Sequence, residues 1–440
     1  MQEENGEKDF LLLVFLTGGR KMQQCSIVIG SLWGDEGKGH MTDILCNNQK
    51  NTVNIRFNGG AQASHTVVTP DGKRHAFRHF GAGTFAGVPT YLSTEFIVNP
   101  VAFVFEKNEL EEQFGIKPNV LVHPGCRVTT IWDVFINQAV EAMRGKNRHG
   151  SCGYGINETV ERNKHSRYMF RLKVKDLFEE QTLRRRLTYI QNEYVPMRLK
   201  EEYGLTIQEL PKEYQDLLTY PENIEMSMFY IREFLKSVDT IGDLAVAMKF
   251  DNLVFEGAQG LLLDQNNIEY YPHVTSSNTG IKNVMTFLKE TKFFGQVDIY
   301  YMSRCYLTRH GAGPFENELA EKPYNKISDP TNIPNEFQGA LRFGYLDFDL
   351  LVHEIQKDLK NLNVSAKIHV VFTCLDQVDS EVKYIENGIV KSVATSEFLN
   401  VAWSILKSKI RRLYKIHATN GETREFLISY KNEEPWLMGA

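Results

Sequence analysis

Two carboxylates and an ammonium group, Asp35, Glu36 and Lys38, crowd into the stretch Gly30 to His40, which reads GSLWGDEGKGH. Gly34, Gly37 and Gly39 punctuate it and let main-chain N–H groups approach phosphate oxygens through backbone conformations closed to other residues. Lys38 supplies a point charge for those oxygens, and the chemistry such a set suits is phosphoryl transfer. The pattern is not the usual GxxxxGK[ST], because Leu32 stands where that motif needs a glycine and Gly39 where it needs a hydroxyl. A magnesium ion must then find another ligand, and Asp35 is the nearest hard oxygen donor.

The loop needs a strand before it and a helix after it. The apolar run Cys25 to Ile29 supplies the strand, and His40 to Leu45 is expected to turn a helix N-terminus toward the anion. Further strand-like runs recur at Val53 to Phe57, Phe96 to Val98, Val120 to His123, Leu253 to Phe255, Val297 to Met302 and Ile368 to Phe372. Helical periodicity separates several of them, at Trp132 to Arg144, Ile224 to Val238 and Asp347 to Leu362. The alternation predicts an α/β protein with a large, mostly parallel central sheet and flanking helices, with ligands at the carboxyl ends of the strands. Residues 175–250, rich in Arg, Lys, Glu and Tyr, read as a mainly helical insertion in which Arg184 to Arg186 form a solvated face. Residues 1–21 read as a poorly ordered N-terminal extension, and 22–440 as a single elaborated domain.

A net charge of -5 over 440 residues argues against a generic nucleic-acid or membrane binder, since those carry a basic excess. The six cysteines contain no CxxC pair, which points away from zinc or a disulfide framework and toward reduced thiols in a cytoplasmic protein.

Other strand ends carry polar groups. GGAQASHTVV, Gly59 to Val68, places His65 where it can donate to a reacting oxygen and Gln62 where it can hold a phosphate or a base edge. EGAQGLLL, Glu256 to Leu263, presents Gln259 to a purine edge, and VTSSNTG, Val274 to Gly280, offers hydroxyls to phosphate or sugar. Arg309 and His310 open the turn RHGAGPF, Arg342 lies in NEFQGALRFGYLD, and Asp376 ends TCLD, where a carboxylate can accept from guanine N1 and N2.

WGDEGKG, GAQG followed by VTSSNT, and RxGAGPF, in that order, resemble the adenylosuccinate synthetase family from about Ser26 to Leu427. The resemblance implies a P-loop-NTPase-like synthetase fold and a two-step ligation. GTP, with ATP or dATP as other donors, phosphorylates the 6-oxygen of IMP, and the amine of aspartate displaces that phosphate. By the same resemblance Asp35 takes the N1 proton and binds magnesium, with the Ser64 carbonyl as a further metal ligand. His65 assists phosphate transfer, Lys38 grips phosphates, and Gln259 stabilises the phosphorylated intermediate. Gly34, Glu36, Gly37, Gly39, Gln62, Cys152, Thr275 and Arg309 fall at nucleotide-binding positions, as does Arg167, lent by a neighbouring subunit of a homodimer. Asp376 recognises the donor base, and Arg342 binds the amine donor.

The departures carry information. Ala61, Gln62 and Ser64 replace the histidine, asparagine and glycine of GHNAGHT, and Cys152 replaces a threonine in the loop HGSCGYGINE. Cys374 replaces the lysine of TKLD. The arginine-rich loop GRRRRTGW is shortened to QGALRFGY, so Arg342 alone remains to clamp a dicarboxylate. The short loop is closer to the compact archaeal and phage branch, some of whose members act on dGMP and replace the loop aspartate with a smaller residue. Retention of Asp35 favours IMP, with dGMP or another purine nucleotide as the alternative substrate. A non-catalytic purine-nucleotide sensor is the alternative of a different class.

Overall fold

The computed structural model describes residues 22–145, 149–329, 339–419 and 428–431. The proposed extension 1–21 lies outside them. One ten-stranded sheet organises the chain, in the order Ile428–Lys431, Leu413–Ala418, Lys367–Thr373, Gly295–Arg304, Gln23–Gly30, Asn252–Gly260, Thr52–Arg56, Thr90–Leu92, Val120–Val122 and Asp239–Thr240. Every pairing is parallel except the edge pair Leu413–Ala418 with Ile428–Lys431. The large, mostly parallel sheet is therefore as expected.

The strand Gln23–Gly30 lies in the middle, with Ile27 aligned to Phe255 on one side and to Ile299 on the other. All but one of its residues are buried, as a strand covered by helices on both faces must be. Its C-terminal end, and those of its two neighbours and of Lys367–Thr373, all open at one edge of the sheet.

Particular elements differ from the expectation. Of Phe96 to Val98 only Ile97–Val98 is a strand, and it pairs with Arg127–Val128 in a separate small sheet. Thr90–Leu92 and Leu413–Ala418 join the main sheet although their short or mixed patterns give little period-two signal. Residues 180–249 form the helices Glu180–Tyr189, Val195–Tyr203, Lys212–Thr219, Asn223–Leu235 and Asp243–Lys249, with a π-helical turn at Ile190–Tyr194. The region also holds one strand, the edge pair of residues Asp239–Thr240. Arg186 is not on a solvated face: it is buried, donates to the Arg171 carbonyl, pairs with Asp176 at 3.1 Å and lies over the Tyr168 ring.

A second sheet flanks the site, built from Tyr306–Arg309, Glu318–Leu319, Arg342–Asp347, Glu381–Glu386 and Ile389–Ala394. Its strand Tyr306–Arg309 starts two residues after the main-sheet strand Gly295–Arg304 ends, which carries Arg309 and His310 over the opening.

Candidate active site

The glycine-punctuated loop closes into a cradle at the end of the central strand. The helix that follows, Lys38–Asn47, starts two residues earlier than His40 and is capped by Gly37 at φ 85 with no side-chain hydrogen bond. Its first-turn N–H groups thus carry no side-chain cap and suit an anion. Asp35 itself adopts a left-handed backbone, φ 57, a strained state for a non-glycine residue and one that concentrates at functional sites. Its carbonyl accepts from Arg304 Nε.

Glu36 and Lys38 are buried 3.8 Å apart. Glu36 Oε1 accepts from the Leu32 N–H at 2.6 Å, and Oε2 has no hydrogen-bond partner. Burial raises the Glu36 carboxyl to about 7 and lowers the Lys38 ammonium, each opposed by the other's charge. Glu36 is thus a brace across the base of its own loop. A Cβ at Gly30 would lie 2.2 Å from Glu36 Oε2, 2.5 Å from the Gln259 carbonyl and 2.8 Å from Lys38 Nζ, so only glycine leaves room there.

The neighbouring strand ends converge on this cradle. A Cβ at Gly39 would meet that of His65 at 2.8 Å, and Thr373 Oγ1 donates to the Glu36 carbonyl at 3.3 Å. Gln259, at φ 65, turns its chain beside Gly34, and its side-chain oxygen is buried without a partner. Both polar atoms of the Gln62 amide are likewise buried and unpartnered. Gln62 lies against Gly59 and Gly60 at the neighbouring strand end and Gln259 beside Gly34, and an amide with unspent hydrogen-bonding capacity suits a purine edge.

His65 opens the strand His65–Val68, and its Nδ1 is hydrogen-bonded to Glu256. Glu256 also accepts from the Ala82 N–H at 3.0 Å and lies 3.9 Å from the fully buried Arg56. Burial alone would raise the Glu256 carboxyl, but Arg56, His65 and the Ala82 N–H outweigh it and hold it below the ordinary range. Burial pulls His65 down to about 4 against the pull of Glu256. The ligand-free imidazole is thus neutral at pH 7, with its tautomer set by the carboxylate behind it. Sequence reading missed Glu256 and Arg56, although Glu256 opens the motif EGAQGLLL and Arg56 lies within the expected strand Val53 to Phe57. Charged residues inside apolar strands were the available signal.

Other expected residues are engaged elsewhere. Arg309 is buried with its guanidinium on the Ala312 and Pro314 carbonyls and 3.8 Å over the Trp33 ring; burial and Arg342 lower it to about 10. Arg342 donates through Nε and Nη2 to both oxygens of Glu318 and through Nη1 to the Gly311 and Gly313 carbonyls. The loop His149 to Glu158 turns the N–H groups of His149, Gly150 and Ser151 onto the buried Glu141 carboxylate. In it burial raises the Cys152 thiol to about 11. Thr275 is half-buried and donates its N–H to the Leu263 carbonyl, while Ser276 Oγ reaches Asn157 Oδ1 at 2.6 Å and joins that stretch to the loop. Arg167 is exposed and paired with Glu193, Ser64 is exposed, and Asp376 lies exposed just beyond Thr373.

Residues 27–400 match the family model described as adenylosuccinate synthetase. The chain belongs to the adenylosuccinate synthetase family. It is accordingly a carbon–nitrogen ligase by family. The adenylosuccinate synthetase of Pasteurella multocida is 30% identical over 341 residues, covering 76% of this chain and 74% of that protein. The Vibrio cholerae protein of the same name is 32% identical over 343 residues, covering 75% and 73%. Among solved structures, fully ligated adenylosuccinate synthetase from Plasmodium falciparum superposes with a TM-score of 0.67 at 18% identity, covering 90% of this chain and 98% of that one. The cyanophage S-2L succinoaminodeoxyadenylate synthetase, bound to dGMP and dATP, gives 0.57 at 11% identity, covering 93% and 96%. These two likenesses concern the fold.

Proposed function

We propose that this protein uses the γ-phosphate of GTP to activate the 6-oxygen of IMP and then joins aspartate to give adenylosuccinate. The observation that carries the reading is the convergence of Asp35, Lys38, His65 and Gln259 on one cradle at the C-terminal edge of the sheet. Phosphoryl transfer depends on positioning and charge neutralisation, and the cradle supplies both. Lys38 is buried and so acts in a low-dielectric setting, where its charge on a phosphate is worth more than in water. Asp35 is the group for the purine N1 proton. Arrival of a phosphate dianion favours the protonated form of His65, which can then donate to the departing oxygen while Glu256 holds its other nitrogen.

Magnesium would be held by Asp35 and the Ser64 carbonyl. Among the described residues no group of three His, Cys, Asp or Glu converges on one point, and a single half-exposed carboxylate at the lip of a phosphate cradle suits an ion that takes most of its ligands from phosphates and water. When bound, the ion would offset the charge of the transferring phosphoryl group.

The exposed Arg167 supports a homodimer in which it reaches a neighbouring site. No helix among the described residues is long and apolar enough to cross a membrane. The six cysteines without a CxxC pair support a reducing compartment, the cytoplasm. A second reading, the same chemistry on dGMP or another purine nucleotide with an adenine nucleotide as donor, is favoured by the short loop QGALRFGY for the substrate and, for the donor, by Cys374 standing where the family has a lysine.

The test is one assay of the purified protein with aspartate and magnesium, crossing IMP and dGMP with GTP, ATP and dATP. Succinylated product from IMP is expected. Product only from dGMP would replace the first reading with the second, and nucleotide binding without turnover in every combination would leave a sensor.

A further inference from the structure

Asp35 has little backbone freedom, being fixed at φ 57 with its carbonyl on Arg304 Nε. What remains open is the direction of its carboxylate. The side chain facing that carboxylate is His310, whose Nε2 stands 3.7 Å from Asp35 Oδ2. The imidazole is only 16% exposed, and its Nδ1 is buried without a hydrogen-bond partner. His310 is delivered there by a firm anchor: the preceding Arg309 is clamped on Trp33 and on the carbonyls of the turn that follows.

We propose that His310 is a positioning residue for Asp35. With Nε2 3.7 Å from Oδ2, just outside hydrogen-bonding length, a small side-chain rotation lets Nε2–H donate to that oxygen. That fixes one carboxylate oxygen and leaves the other for the purine N1 proton. An ionised carboxylate offers about four acceptor sites on its two oxygens, so a bond from His310 leaves room both for the N1 proton and for magnesium. The inference rests on the reading of Asp35 as the group that takes that proton. Geometry alone makes the contribution appreciable, since a displacement of about 1 Å at a reacting group costs on the order of 10²-fold in rate.

Three substitutions separate this role from a structural one. His310→Gln places an N–H near the position of Nε2, His310→Asn places one near Nδ1, and His310→Leu removes both. In the ligation assay, His310→Leu and His310→Asn are expected to lower kcat about tenfold to a hundredfold, with KM for the triphosphate within about twofold of wild type. His310→Gln should recover kcat to within about threefold, and all three should melt within a few degrees of wild type. Equal kcat for the Gln and Asn variants, or a Leu variant within threefold of wild type, would overturn the proposal. So would a loss of kcat that follows a lowered melting temperature in all three. If wild type yields no succinylated product from any nucleotide, the reading of the site fails first and takes this proposal with it, an outcome visible in the wild-type arm alone.

Discussion

Replacing Glu256 by Gln removes one charge from a place where three groups depend on it. His65 loses the acceptor that fixes its tautomer, the Ala82 N–H keeps an oxygen within reach, and Arg56 becomes a fully buried cation without its counter-ion. Breaking a buried pair from one side costs roughly 3–5 kcal/mol, a large part of a total stability of about 5–15 kcal/mol. Loss of positioned acid–base help costs about 10²–10⁴ in rate. E256Q should therefore unfold at clearly lower urea concentration and lose at least about a hundredfold in kcat. The two effects are separable. In the double variant R56M/E256Q an apolar side chain replaces the stranded cation, so most of the stability should return while kcat stays low. Urea titration followed by fluorescence, and release of phosphate under saturating substrates, measure the pair. If E256Q turns over within threefold of wild type, or if the double variant regains activity along with stability, Glu256 is a packing residue and the argument for an oriented His65 fails.

Three further outcomes are expected. His65, normally near 6.5 and held near 4 by burial, binds fewer protons folded than unfolded, so its contribution to stability is lost as pH falls from about 6.5 to 4; H65Q should flatten that limb by about 3 kcal/mol in urea titrations. Glu36, raised to about 7, works in the opposite sense between 4.5 and 7, and comparison with wild type cancels it. Gly30→Ala should destabilise by about 1–3 kcal/mol in thermal melting and abolish triphosphate binding by calorimetry, because its methyl group collides with Glu36, Lys38 and the Gln259 carbonyl. E318Q should release the Arg342 fork, and with a half-exposed pair worth up to roughly 1 kcal/mol, the KM for the amine donor should fall by up to about fivefold.

Gly30 to His40 was readable because several constraints fall on consecutive residues: a strand must stop, glycines must turn, and charges must face one point. The helix register after it was off by two residues because the cap is a glycine, Gly37, with no polar side chain to mark it. Glu256 looked like part of a turn, since the distant residues that bury it, Arg56 and His65, come from other strand ends. The engagement of Arg342 depends on Glu318, which pairs with it only because the strands Glu318–Leu319 and Arg342–Asp347 run side by side. Thr90–Leu92 is too short for periodicity to register, and its place in the sheet is dictated by its neighbours Thr52–Arg56 and Val120–Val122.

The hydrogen bond from Thr373 to Glu36 closes a separation of 337 residues. Contacts of that span form slowly, because the chain must surrender a long loop's freedom before any contact repays it. The strand that carries Thr373 has to dock beside Gly295–Arg304 before this brace on the Glu36 turn is made. The last constraint on the phosphate-facing turn thus belongs to the long-range part of assembly, set by where Lys367–Thr373 joins the sheet rather than by the loop's own residues.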